Sequence, residues 1–302
     1  MLFYIKGILA LAMINIIAVL GVTVFTGFTG LFSLGHAAFI ASGAFTSAIL
    51  THFYHWNFYA ALAAGALVSG ALSLVIGVPT LRAKLRSDYF AIATLGFGEA
   101  FKMILENLNI TQGARGLPGI TPYSTFPVVI ITLVIVVTVT ANFVFSKFGR
   151  QAVAAREDYT AAEMMGINLF RVQLRSLVFS AVLAGLAGGL FAHYLGFIQP
   201  SLFTGSQSSM LVIAVVTGGM GSITGPILAA LLFATIPEAL RLANMWRMVT
   251  YGAVLVAIMV LRPQGILGYR EFTLGGLLRL CRRLRPGRPG STPVDESNKA
   301  VS

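Results

Sequence analysis

Apolar residues run along this chain in long blocks, broken by short charged or glycine-rich stretches. A helix needs about 20 apolar residues to cross a bilayer core of about 30 Å. The pattern predicts spans at residues 5–25, 31–50, 58–78, 89–105, 126–145, 177–197, 208–220, 223–240 and 250–261. Because the shortest of these could be re-entrant, the count stands at about 8–9 transmembrane or re-entrant helices. The first run begins almost at Met1 and leads straight into the others, which reads as a retained helix rather than a cleaved signal. The predicted fold class is an all-α polytopic membrane protein. Residues 1–270 make one membrane domain. Residues 271–302 make a basic and then polar tail without apolar periodicity, the pattern of a disordered end.

One block between spans is unlike the rest. Residues 155–166 are charged, Ala-rich and helix-favouring, and they sit between the runs at 126–145 and 177–197. A soluble-looking helix embedded in a membrane protein offers a handle for something on that face of the membrane. The competing reading is an ordinary inter-helix loop.

Glycine also divides into two kinds. Gly65-x4-Gly70 and Gly185-x2-Gly188-Gly189 lie inside apolar runs and suit close helix packing. The clusters at 27–30 and 218–226 instead disfavour a continuous helix. Backbone groups freed at membrane depth must be buried in protein or line a wet cavity. Residues 218–226 read either as a tight cytoplasmic turn or as a re-entrant break. The segment 27–36, taken with 94–97, reads as a solute route lined by Ser33, Gly35, His36, Thr94, Gly96 and Phe97. The alternative is a simple turn at 27–30, with Ser33 capping the next helix and His36 hydrogen-bonded in the core.

Composition supports the membrane reading. Only 10% of residues are charged, against about 25% in soluble domains. The net charge of +11 raises the possibility of a nucleic-acid partner, but the placement of the charges argues against one. With alternating sides assigned so that 155–166 is cytoplasmic, 16 of the 21 basic residues fall on the cytoplasmic face, as the positive-inside rule requires. The basic excess then serves topology and attraction to anionic membrane lipid. The single cysteine, Cys281, cannot form an internal disulfide, so helix packing must hold the fold.

Ionisable chemistry within the spans is sparse. Glu99 and Lys102 lie three residues apart on one helix face and can pair. His36 and His193 have no metal-ligand spacing. No phosphate-binding loop or nucleophile elbow is present, so any ATP hydrolysis must belong to another chain.

Four stretches, 30–39, 86–99, 150–166 and 218–226, together resemble the LivM-type permease subunit of branched-chain amino acid ABC importers. The resemblance runs from about residue 27 to 269. It implies a heterodimer with a LivH-type permease in the bacterial cytoplasmic (inner) membrane. It also implies two ATPase subunits that bind ATP and Mg, and an extracytoplasmic solute-binding protein. On this view the chain is a transport subunit with no cofactor and no enzyme site of its own. The resemblance makes 157–166 the coupling helix that meets an ATPase, through Glu157, Ala161, Ala162, Glu163 and Gly166. One departure is that Thr160 stands where the importer pattern begins with Glu. The implied solute is a branched-chain amino acid or a similar small polar molecule. Urea and short amides are the alternative within the family. An ion-coupled transporter is the alternative outside it, although such proteins usually carry committed carboxylates or histidines at the midplane.

Overall fold

The computed structural model of the chain describes residues 2–85 and 87–239, together with Gly252 and Gly265. The rest of the expected span at 250–261, the tail at 271–302, Cys281 and Arg86 lie outside the described residues.

Among the described residues, ten α-helices follow in order. They are α1 (Leu2–Val22), α2 (His36–His52), α3 (Phe58–Arg82), α4 (Ser87–Asn107), α5 (Phe126–Phe145), α6 (Lys147–Glu157), α7 (Tyr159–Met164), α8 (Leu169–Leu195), α9 (Gly205–Gly218) and α10 (Thr224–Ala239). Among the described residues, five helical stretches are long and apolar enough to cross a membrane. They are Lys6–Gly27, Phe58–Arg82, Phe126–Phe145, Leu169–Leu195 and Pro200–Gly218. One two-stranded antiparallel pair, β1 (Leu117–Pro118) with β2 (Phe197–Ile198), joins two loops and was not legible in the sequence.

Several boundaries differ from expectation for identifiable reasons. The run at 177–197 becomes a helix that starts eight residues earlier, at Leu169. Asn168 caps it by accepting the amide of Arg171 at 3.0 Å, and its first turns carry Arg171 and Arg175, which an apolar-run criterion excludes. The run at 31–50 is helical only from His36. α1 continues through a π-helical turn, Thr23–Gly27, and two further helical residues, and an irregular stretch, residues 30–35, then leads to α2. The 17 residues of α2 rise about 26 Å.

The centre of the bundle is α8, which packs on α1, α2 and α3. Small residues make this possible. A side chain at Gly43 would strike the backbone of Gly185, and one at Gly188 would strike that of Ile40. A Cβ at Gly65 would sit 2.8 Å from the carbonyl of Gly43. Ser42 and Ser69 Oγ atoms pair at 2.8 Å across α2 and α3, and Ser69 Oγ lies 2.9 Å from the Phe39 carbonyl. The helices therefore meet backbone to backbone, the packing mode available in lipid, where apolar area alone gives no driving force. α5 is peripheral and presents Ile131, Val134 and Ile135 outward.

Lys84, Arg156 and the turn at Met220 gather at one end of the bundle, where Arg156 bonds the carbonyls of Gly27 and Met220. At the opposite end Tyr194 Oη donates to the Gly7 carbonyl, bringing the end of α8 to the start of α1. The segment 218–226 resolves as a turn. α9 stops at Gly218, Gly219 takes φ +116°, and α10 starts at Thr224. Ser222 Oγ accepts the amide of Gly225 at 3.2 Å, helping to close it.

Candidate functional site

The charged block at 155–166 is helical but is not the single helix expected. α6 ends at Glu157 and α7 begins at Tyr159, with Asp158 extended between them (φ −151°, ψ 113°). The cause is a cap. Asp158 accepts the amides of Thr160 at 2.8 Å and Ala161 at 3.0 Å, an arrangement that needs a non-helical Asp. α7 then closes at Gly166, whose φ of +79° suits glycine. There the Gly166 amide donates to Glu163 O at 2.9 Å and the Ile167 amide to Ala162 O at 3.0 Å.

The five predicted coupling residues fall on two faces. Glu157, Ala161, Glu163 and Gly166 are exposed, whereas Ala162 is buried at 4%. Sequence reasoning passed over the most exposed apolar groups of the element, Met164 at 84% and Met165 at 82%. Their signal was present, as two methionines just before a helix-ending glycine outside the apolar runs. Methionine is flexible and polarizable and is over-used at binding surfaces. Lys84, in the α3–α4 turn, pairs with Glu163 at 3.1 Å and ties α7 to the membrane body. Beneath α7 lies a cavity of about 900 Å³ bordered by Leu81, Leu85, Tyr159, Ile167 and Phe170. Partial burial pushes the Tyr159 phenol above its ordinary pKa, against the opposing effect of Gln173, whose amide donates to it at 3.4 Å.

The predicted pathway residues are brought together only in part. Ser33, Gly35, His36 and Thr94 cluster around the irregular stretch between α1 and α2. Its backbone is held by hydroxyls from other helices. Ser87 accepts the amide of Phe32 at 3.2 Å, and Thr94 accepts that of Leu34 at 3.1 Å. On α9, Ser208 accepts the amide of Ala37 at 2.8 Å. Ser33 does not cap α2, since its side chain makes no cap bond and the N-cap residue is Gly35. Its Oγ is buried without a hydrogen-bond partner, and its carbonyl faces His36 Nδ1 at 3.4 Å. His36 is fully buried, with Nε2 2.7 Å from Ser180 Oγ on α8. Phe97 stacks on Phe101 and meets Phe39 at a tilt. Gly96 stands apart, on the exposed side of α4 with open space around it.

The intramembrane charges are also engaged. Glu99 pairs with Lys102 at 3.7 Å and accepts the amide of Gly205 at 2.9 Å, capping the start of α9. His193 is a core residue, with Nδ1 donating to Gly189 O at 2.8 Å and Nε2 facing Thr51 Oγ1 at 2.9 Å.

Five membrane-length helices among the described residues, a hydroxyl-bonded break between helices and a short helical element beside the bundle fit a multi-pass membrane protein. The family described as "Branched-chain amino acid transport system / permease component" matches residues 4–260, and the chain belongs to it. It is 37% identical to the high-affinity branched-chain amino acid transport permease LivM of Salmonella typhimurium, over 86% of this chain and 69% of that protein. It is 34% identical to LivH of Escherichia coli over 47% of this chain and 46% of that protein. The autoinducer 2 import permease LsrC of Yersinia pseudotuberculosis is 27% identical over 56% of this chain and 52% of that protein. No solved structure matches. The chain is thus a multi-pass inner-membrane permease subunit of the ABC importer type.

Proposed function

We propose that this permease carries branched-chain amino acids, paired with a LivH-type permease and driven by two ATPase subunits. ATP and Mg are bound by those subunits, and the chain itself is not an enzyme. An extracytoplasmic solute-binding protein delivers the amino acid. The observation that carries the reading is the match to LivM over most of the chain, together with an exposed helical element at the cytoplasmic end. Partial likeness to LivH supports a related partner with which the exposed faces of the helices can pack.

On this reading α7 docks on an ATPase through Ala161, Glu163, Met164 and Met165, with Glu157 and Gly166 at its edges. Ala162 anchors the element from beneath. The solute passes beside the hydroxyl-lined break near Ser33, Gly35 and Thr94, with Phe97 beside it, Gly96 on the exposed side of α4 and His36 holding the break in place. Weak neutral contacts suffice where alternating access, not affinity, moves the solute. Residues 1–270 form the transport domain, with 271–302 as a cytoplasmic tail.

The test is uptake of labelled leucine, isoleucine and valine into vesicles holding this chain, its partner permease, the ATPases and the binding protein. ATP-dependent uptake is expected. Uptake driven by an ion gradient without the ATPases would overturn the reading. Competition by urea or acetamide but not by leucine would move the substrate class.

A further inference from the structure

We infer that Arg156 is the positioning residue that carries movement of the cytoplasmic element into the membrane helices. The inference rests on the reading that α6–α7 meets an ATPase, and it names the route beyond that contact. Arg156 lies at the last turn of α6, with its side chain only 12% exposed. Its Nη1 donates to the carbonyl of Gly27 at 2.7 Å and to that of Met220 at 3.1 Å. Its Nη2 and Nε both donate to Glu157 Oε1, at 2.7 and 3.2 Å, which balances the charge and fixes the plane of the guanidinium.

The two carbonyls have particular positions. Gly27 is the last residue of the π-helical turn after α1, two residues before that helix ends, and Met220 lies in the turn just beyond α9. Carbonyls in the last turn of a helix carry partial negative charge, so a cation there is favoured. One guanidinium therefore binds the last turn of the first membrane helix and the turn after α9 at once. A lysine ammonium has no planar fork to span both acceptors while holding Glu157.

The glycines at 27–30 now have a reason. A Cβ at Gly27 would come within 3.1 Å of Met220 O, a tight contact, so a bare Gly27 eases the approach of the two segments. A Cβ at Gly30 would sit 2.7 Å from Arg156 Cγ, and Gly30 also takes φ +76°. The motif that reads in sequence as a break for solute thus forms a seat for the arginine stem. From that seat two lines run to the break between α1 and α2. Gly27 lies just before the break, and α9 holds the Ala37 amide through Ser208. A displacement of α6 would pull both together.

The experiment uses the assembled importer in proteoliposomes and reads solute moved per ATP hydrolysed. A Met165→Cys variant, with Cys281 replaced by serine, reports by cross-linking whether α7 still touches the ATPase. Arg156→Gln should lower the transport ratio about tenfold or more, with cross-linking and hydrolysis retained. Arg156→Lys should restore only part of it. Gly30→Ala displaces the arginine stem without removing the charge, and it should lower the ratio even if Arg156→Gln fails to assemble. An unchanged ratio in an assembled Arg156→Gln or Gly30→Ala importer overturns the inference while leaving the docking reading intact. Absence of the cross-link in an otherwise unaltered importer overturns the docking reading, and the inference with it.

Discussion

At the scale of single residues, Ala161 and Ala162 are adjacent and alike in sequence, yet one is exposed and the other is 4% exposed. Nothing in an Ala-Ala pair reveals which faces inward, because the break at Asp158 resets the phase of the helix. The two should therefore respond differently to arginine. Ala162→Arg buries a charge whose desolvation costs several kcal/mol, and it should lower the melting temperature of the detergent-extracted protein. Ala161→Arg should leave melting unchanged while abolishing uptake. Equal melting shifts for both would contradict the assigned faces. The sequence left His36 either lining a solute route or hydrogen-bonded in the core, and read His193 as a core residue. Both are held by hydroxyl and carbonyl partners. The partners of His36 were not legible, because Ser180 lies 144 positions away.

At the scale of elements, hydrophobic blocks located most helices and the starts of α3 and α5, but not those of α2 and α8. The amphipathic first turns of α8 and the irregular approach to α2 carry no apolar-run signal. The junction between α6 and α7 depends on Asp158, whose loss should cost about 0.5–2 kcal/mol locally. Asp158→Ala should speed hydrogen exchange at the amides of Thr160 and Ala161 without changing exchange in α8. Unchanged exchange at those amides would mean the cap does not hold the junction. Close helix contact makes the opposite kind of prediction. Gly185→Leu must push α8 off α2 and α3, since even a Cβ there meets Ser69 and the Ala66 backbone. It should abolish recovery of folded permease from the membrane. Gly96→Ala meets nothing within 4 Å and should be recovered normally. Recovery of both in equal amounts would remove the packing argument.

At the scale of the whole molecule, charge asymmetry and apolar blocks set an expected topology. The joints between elements were not legible, because they depend on single long-range bonds such as Arg156 to Gly27 and Lys84 to Glu163. Reporter fusions at Lys84 should read as cytoplasmic and at Arg115 as extracytoplasmic, and the reverse would invert the assignment. The most direct test of the central claim is site-specific cross-linking in the assembled importer. Met165→Cys, in a chain with Cys281 replaced by serine, should link to an ATPase subunit through a short bifunctional thiol–amine reagent. Tyr54→Cys, in the exposed turn after α2 at the far end of the bundle, should not. A link from Tyr54→Cys with none from Met165→Cys would contradict the account.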